Sequence, residues 1–251
     1  MNQLTSDARR IDAKAFAVVG SQPVASFLPL KRALDIVFAL FLIALSAPLM
    51  LFIAIAIRLE SQGPVLFVQQ RLGRRGKRFG LLKFRTLRRL PSRQDAQGSV
   101  MALSGKDHDI TRTGRWLRHT GLNELPQLFN ILKGDMSFVG PRPAVLHHEQ
   151  YYTDWHRKRL ALRPGVSGLA QVCGRNAIPW GWRVALDRHY VDHASLWLDA
   201  LILLKTVWVV GFGIGSEGEE QDYFDFTPPE GDVIAELQRR GVMRTFLHRQ
   251  V

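Results

Sequence analysis

Residues 36–57 read IVFALFLIALSAPLMLFIAIAI, 22 positions without a charged side chain. As a helix rising ~1.5 Å per residue the run is about 33 Å long. That is enough to cross the hydrocarbon layer of a bilayer, about 30 Å thick. A fully apolar run of this length is rarely the buried core helix of a soluble protein, so it reads as a membrane segment. Two details argue against a plain span. Pro48 lies just past the middle, where it removes a helix hydrogen bond and introduces a kink; Ser46 can offer its hydroxyl to carbonyls near that break. Both flanks are basic: Lys31 and Arg32 precede the run, and Arg58, Arg71, Arg74, Arg75, Lys77 and Arg78 follow it. Basic flanks stay on the cytoplasmic side. Residues 31–58 are therefore predicted to form a kinked, re-entrant helix, broken at Ser46 and Pro48, that enters and leaves through one leaflet.

Outward from this segment, residues 1–30 read as a tail and residues 59–215 as one soluble domain. Gly63-Pro64 is a turn; Val65–Val68 and Phe79–Phe84 are short strand-like runs joined by a basic, Gly-containing loop, a small β-hairpin. Residues 91–110 are polar and loop-like. Residues 111–134 show helical spacing, GDMSFVGPRP reads as a loop, and Tyr151–Leu162 as a basic helix. Leu169–Val172 reads as a short strand. Helices follow at Arg183–His193 and Leu196–Phe212, the second apolar but carrying Asp199 and Lys205, so amphipathic and lying on the membrane surface. Residues 216–251 begin acidic, end basic, and read as an extension. The fold class expected is α/β, mostly α: a monotopic membrane protein with a re-entrant helix, amphipathic interfacial helices and a hairpin.

The 251-residue chain holds 34 Lys and Arg against 22 Asp and Glu, a net charge of +12, which predicts anionic partners. Nucleic acid is disfavoured, because the aromatics are not interleaved with the basic runs as stacking platforms. The single cysteine, Cys173, excludes an intrachain disulfide and a cysteine-based zinc site; it reads as a small buried residue.

Many basic residues stand beside Gly and Pro in loops: Lys83, Arg85, Arg112, Arg118, Arg142, Arg163 and Arg175. A fixed loop aims a guanidinium fork at phosphate oxygens. Glu124, with Asp135 eleven residues on, is the acidic counterpart, either a helix-start residue or a Mg²⁺ ligand beside phosphate. Phosphate clamps, a hard cation and a membrane anchor together point to phosphoryl transfer involving a lipid phosphate.

Three ordered motifs, KFRTL (83–87), TGLNELPQLFNILKGDMSFVGPRP (120–143) and RPGVSGLAQVCGR (163–175), resemble the bacterial sugar transferase family, the monotopic polyprenyl-phosphate hexose-1-phosphate transferases. The resemblance runs from about Lys31 to Gly213 and implies a membrane helix broken at proline. It also implies transfer of a hexose-1-phosphate from a UDP-sugar to polyprenyl (undecaprenyl) phosphate with release of UMP, using Mg²⁺, at the cytoplasmic face of the bacterial inner membrane. This would begin polysaccharide or glycoconjugate assembly, with inner-membrane lipid as surroundings and a homodimer compatible with the reading. In the family an adjacent Asp-Glu pair is catalytic, the Asp forming a covalent phosphosugar intermediate and the Glu holding the metal. Here that pair reads Asn123-Glu124. An amide is not a competent nucleophile toward phosphorus. Three readings stay open: a replaced nucleophile, a variant working through another carboxylate or by direct transfer, or a silent homologue acting as a membrane-bound binding protein. The resemblance further implies phosphate contacts from Lys83, Arg85, Arg118 and Arg142, with Pro141 stiffening the Arg142 loop, and nucleotide contacts from Gln171 and Arg175.

Overall fold

The computed structural model describes residues 22–88, 109–173 and 178–211, together with Thr227, Pro229, Gly231, Glu236 and Arg239. Arg175, the 91–108 loop, residues 1–21 and most of the C-terminal extension lie outside the described residues. The protein is mostly helical with a small sheet and one long apolar helix near its N-terminus.

That helix, α1 (Gln22–Glu60), begins well before Lys31 and continues through both Pro29 and Pro48. The two arms expected on either side of Pro48 are thus not separate elements. The proline still removes one main-chain donor, and the Ser46 hydroxyl donates to the Leu42 carbonyl at 2.6 Å, one turn back. Only 11% of the most apolar stretch of the helix is buried. The buried stripe holds Asp35, Ala39, Ile53 and Ile57, whereas Val37, Phe38, Phe41, Leu45 and Phe52 are exposed.

Strands β1 (Leu66–Leu72) and β2 (Arg78–Phe84) form the expected hairpin, in a register running from Leu66 opposite Phe84 to Leu72 opposite Arg78. Its turn is tighter than the sequence suggested: Gly73 donates to the Lys77 carbonyl at 2.8 Å. Helix α2 (Arg112–Thr120) ends at Gly121, whose φ of 74° lies in the left-handed region that glycine adopts without strain. One 3₁₀ turn follows, then α3 (Gln127–Lys133). The single helix expected over 111–134 is therefore two helices, because Gly121 and Pro126 interrupt it.

Within the GDMSFVGPRP segment, read as a loop, β3 (Ser137–Val139) is a strand and β4 (Ala144–Val145) follows it, joining the other edge of β1. Helix α4 (Asp154–Arg157) is only four residues long and passes into a 3₁₀ turn, so the helix expected from Tyr151 to Leu162 is shorter. Strand β5 (Gly165–Ser167) pairs in parallel with β3. The strand expected at Leu169–Val172 is instead a short helix, α5, which buries Leu169, Ala170 and Val172 together. An apolar run of four residues has no period long enough to separate the two states. Helices α6 (Trp180–His193) and α7 (Leu196–Gly211) complete the domain.

One part of the core gathers around α5, α6 and α7, where Leu169, Val172, Leu186, Tyr190 and Ile202 are buried, and another around α1, α3 and the hairpin. Ala39 packs with Phe79, Leu81, Leu128 and Ile131, while Ile53 and Ile57 pack with Phe84 and Leu117. One polar side chain locks α3 to the open edge of β2. Asn130 Oδ1 accepts from the Leu82 N–H at 2.9 Å and its Nδ2 donates to the Gly80 carbonyl at 2.7 Å. It replaces the strand partner that β2 lacks on that side. Asn130→Ala leaves both edge groups unmatched, and a loss of about 2–4 kcal/mol is expected in denaturant unfolding.

Candidate active site

The cleft of interest opens where the inward face of the hairpin meets the turn before α3. Cross-strand pairing places Arg71 opposite Phe79 and Gln69 opposite Leu81, so Arg71, Gln69, Leu81 and Lys83 share one face. Glu124 enters from the 3₁₀ turn after Gly121. Arg142 and Pro143 come from the segment between β3 and β4. The cleft is lined by Arg71, Leu81, Lys83, Glu124, Gln127, Arg142, Pro143, Gly165 and Val166.

Lys83 Nζ and Glu124 Oε1 stand 2.8 Å apart in an ion pair largely shielded from water. Burial pushes the Glu124 carboxyl up, but Lys83, Arg142 and Arg71 outweigh it and hold the group down at about 2. Burial pushes the Lys83 ammonium down, against the pull of Glu124, and Arg142 and Arg71 push the same way as burial. Glu124 is therefore an anion throughout the neutral range, not a proton donor. It stands among three cations as the one carboxylate lining the cleft, which leaves positive charge available to a phosphate.

Arg142 is exposed between two buried prolines. Pro141 accepts from Gly165 N at 3.0 Å, tying this segment to β5. Behind it lies a buried ion pair: Arg159 Nη2 donates to Asp187 Oδ2 and also to the Arg142 carbonyl at 2.9 Å, and Nη1 donates to Tyr152 Oη at 2.8 Å. The guanidinium also lies over the Trp180 ring, 5.3 Å from its centre.

Sequence-based expectations meet this geometry unevenly. Lys83, Glu124 and Arg142 come together. Asn123, the neighbour of Glu124 on the same turn, is not among the residues lining the cleft. Arg85 points elsewhere: β2 ends at Phe84, so the alternation that would put Arg85 beside Lys83 is broken. Its guanidinium donates to the Ser61 and Gln62 carbonyls at 2.7 Å each, closing the C-terminal end of α1. It lies across Gly63, whose φ of 116° and missing side chain make room. Arg118 Nε donates to Thr86 Oγ1 at 3.0 Å, outside the cleft. Arg112 opens α2, its N–H donating to Glu60 Oε1 at 2.6 Å. Gln171 touches the cleft only through the Val166 carbonyl, at 3.0 Å. Asp135 pairs with Lys133 and does not join Glu124 in lining the cleft. Cys173 is buried, its thiol pushed up to about 11 by burial.

Arg71 and Gln127 were missed. Arg71 reads naturally as a membrane-flanking charge, yet its position two residues from Gln69 on one strand face puts two polar groups inward, and that was the available signal. Its Nη1 donates to the Pro143 carbonyl at 3.2 Å and its Nη2 to Gln69 Oε1 at 2.7 Å. Burial and Arg142 pull it below the usual guanidinium range, against Glu124.

Among the described residues no three His, Cys, Asp or Glu side chains gather into a metal cage. The cleft offers a single carboxylate. Were a Mg²⁺ to bind here, Glu124 would be its protein ligand, because this hard cation takes one or two carboxylates and fills its shell with substrate phosphate oxygens and water.

Two consequences are measurable. The Glu124 carboxyl, depressed from 4.5 to about 2, stabilises the fold above its unfolded value and withdraws that stability as pH falls through this window. Urea unfolding between pH 5 and 2 is expected to show this slope, and Glu124→Gln to lack it. Asp187→Ala leaves Arg159 buried without its anion and is expected to cost about 3–5 kcal/mol in the same assay.

The motifs that line this cleft lie in a stretch with known relatives. A family model described as bacterial sugar transferase matches residues 26–213. EpsL of Bacillus subtilis, named an uncharacterized sugar transferase, is 41% identical over 192 residues, covering 76% of this chain and 91% of that protein. A UDP-glucose:undecaprenyl-phosphate glucose-1-phosphate transferase of Caulobacter vibrioides is 45% identical over 185 residues, 70% of this chain and 68% of that one. The Escherichia coli protein of the same name is 38% identical over 187 residues, but these are only 39% of its length. With the matched region containing α1 from residue 26 onward, the hairpin and every residue of the cleft, the chain belongs to the bacterial sugar transferase family.

Proposed function

We propose that this protein transfers a hexose-1-phosphate from a UDP-sugar to undecaprenyl phosphate and releases UMP, from the cytoplasmic face of the bacterial inner membrane. The observation that carries the reading is the cleft of Lys83, Arg71 and Arg142 around one ionised carboxylate, Glu124, in a chain whose relatives are named for this transfer. In the reaction the bond between the sugar-bearing phosphorus and the oxygen bridging to the UMP phosphorus breaks. UMP leaves with that oxygen, and an oxygen of the lipid phosphate ends up on the sugar-bearing phosphorus. The three cations offset the charge that builds on the departing UMP. Mg²⁺, when bound through Glu124 and the diphosphate, supplies further charge neutralisation.

The membrane association is proposed to be monotopic. Both ends of the uncharged run are fastened to the same body of protein: Arg32 and Asp35 before it, Glu60 after it. Between them Ala39, Ile53 and Ile57 pack on the domain. A perpendicular crossing would drag α2, α3 and β2 into hydrocarbon, at the expense of their charged groups. Embedding the exposed face of α1 in one leaflet avoids this, with Pro48 and Ser46 as the place where the helix bends inward. The exposed face of α7, with Trp197, Leu204, Val207 and Trp208, supports the same placement.

UMP release from UDP-glucose, UDP-galactose and UDP-N-acetylgalactosamine, the sugars in the relatives' names, tests the function, with undecaprenyl phosphate and Mg²⁺ present. The chain is expected to release UMP with at least one donor, and Lys83→Met or Arg142→Ala to lower kcat/KM by about 100-fold or more. Asn123→Asp is run beside it. Release by both forms means that transfer proceeds with an amide at this position. Release only after Asn123→Asp means that the amide silences a normal transferase, and release by neither form sinks the proposal.

A further inference from the structure

A second, shallow cleft lies at the start of α1. It is lined by Leu28, Lys31, Arg32, Asp35, Arg74, Ser137, Leu162 and Arg163 and shares no lining residue with the first. The β3–β5 pair stands between the two: Ser137 lines one and its partner Gly165 the other.

Three arginines from three separate segments meet here, each anchored to a main-chain carbonyl. Arg32 donates through Nη1 and Nη2 to the Ile131 and Leu132 carbonyls at 2.6 and 2.9 Å. Arg74 Nε donates to Ala161 O at 3.1 Å, and Arg163 Nε to Gly134 O at 2.9 Å. Among the described residues, the Nη groups of Arg74 and Arg163 have no acceptor, and none of the three arginines pairs with a carboxylate. Lys31 is taken by Asp199, and Asp35 accepts from Ser137 Oγ and Phe138 N. The like charges oppose one another: burial and then Arg163 lower both Arg32 and Arg74, while Asp35 in the same cleft offsets part of this at Arg32.

The surroundings say what kind of anion fits. Leu30 and Leu34 of α1 are exposed, on the side of the helix away from the cleft-lining Leu28, Lys31, Arg32 and Asp35. The Lys31–Asp199 pair draws α7 alongside, and α7 turns Trp197, Leu204 and Trp208 outward. The cationic mouth therefore sits at the start of the long exposed apolar helix, with Leu28 and Leu162 in its wall. We propose that this cleft binds the phosphate headgroup of an anionic phospholipid, with the acyl chains lying along α1 and α7. Guanidinium forks match phosphate oxygens pairwise, and clustered basic groups at a membrane surface favour anionic lipid. The site fixes the depth and tilt of the domain at the membrane. It rests on membrane association, not on the transfer reaction.

The test is lipid binding to the full chain in neutral detergent, read as bound-lipid adducts by native mass spectrometry and as a shift in thermal midpoint. Dioctanoyl-phosphatidylglycerol is expected to bind as a single saturable adduct, and dioctanoyl-phosphatidylcholine at least tenfold more weakly. Arg74→Gln and Arg163→Gln are each expected to weaken the phosphatidylglycerol adduct by about tenfold. Arg74→Lys, which keeps charge but loses the fork, should fall between, and Arg75→Gln, outside the cleft, should leave binding unchanged. Because Arg74 lies in the hairpin turn between β1 and β2, its variants are expected to fold even if Arg163→Gln does not. Wild-type binding in the Arg74 variants, or equal binding of the two lipids, overturns the proposal. Inorganic phosphate binding as tightly as phosphatidylglycerol overturns the assignment to a lipid.

Discussion

An uncharged helix with apolar side chains on every face has to be told which face to bury, and here two polar side chains do so. Arg32 reaches the carbonyls at the C-terminal end of α3, and Asp35 receives Ser137 and Phe138 of β3. With Lys31 bound to Asp199 in addition, the rotation of α1 about its axis is fixed before the uncharged run begins. Ala39, Ile53 and Ile57 then face protein, and Phe41, Leu45 and Phe52 face outward. Glu60 closes the other end by accepting from the first two N–H groups of α2, where a carboxylate is favoured by the helix dipole. Each of these polar groups would cost energy if left buried without a partner, so the arrangement is specific as well as stable.

The cleft inherits its geometry from that frame. α3 is set by α1, Asn130 of α3 sets the edge of β2, and β2 carries Lys83 to the turn that carries Glu124. On the opposite wall the Arg159–Asp187 pair holds the Arg142 carbonyl from behind. The result is an electrostatic site more than a nucleophilic one. Among the described residues its single lining carboxylate is already matched by a cation, and the remaining positive charge has no protein counterpart lining the cleft. Such a site is completed by the phosphates that enter it, which suits a transferase acting on two phosphorylated substrates.

Legibility from sequence followed the range of the interactions involved. The membrane helix, the hairpin, α6 and α7 were readable because their signals are long or periodic. The β3–β5 pair was not, since two three-residue strands joined across a long crossover leave no local pattern. Lys83 and Arg85 looked equivalent in KFRTL, but the strand ends between them, and one serves the cleft while the other closes a helix. Asp199 looked like the polar side of an amphipathic helix facing solvent; it points inward to Lys31, and the apolar side faces out.

The sequence by itself determined that a 22-residue uncharged segment must find an apolar setting, that basic groups and prolines crowd a few loops, and that position 123 holds an amide and not a carboxylate. These are properties of composition and spacing, which no folding step alters. Only the tertiary structure decided which basic residues share a cavity. Arg71 joins Lys83 across a hairpin, Arg142 reaches them from beyond β3, and Arg163 turns away to meet Arg32 and Arg74. Contacts between residues dozens of positions apart depend on strand register, helix rotation and the buried polar pairs that fix both, and none of these is written in the local sequence.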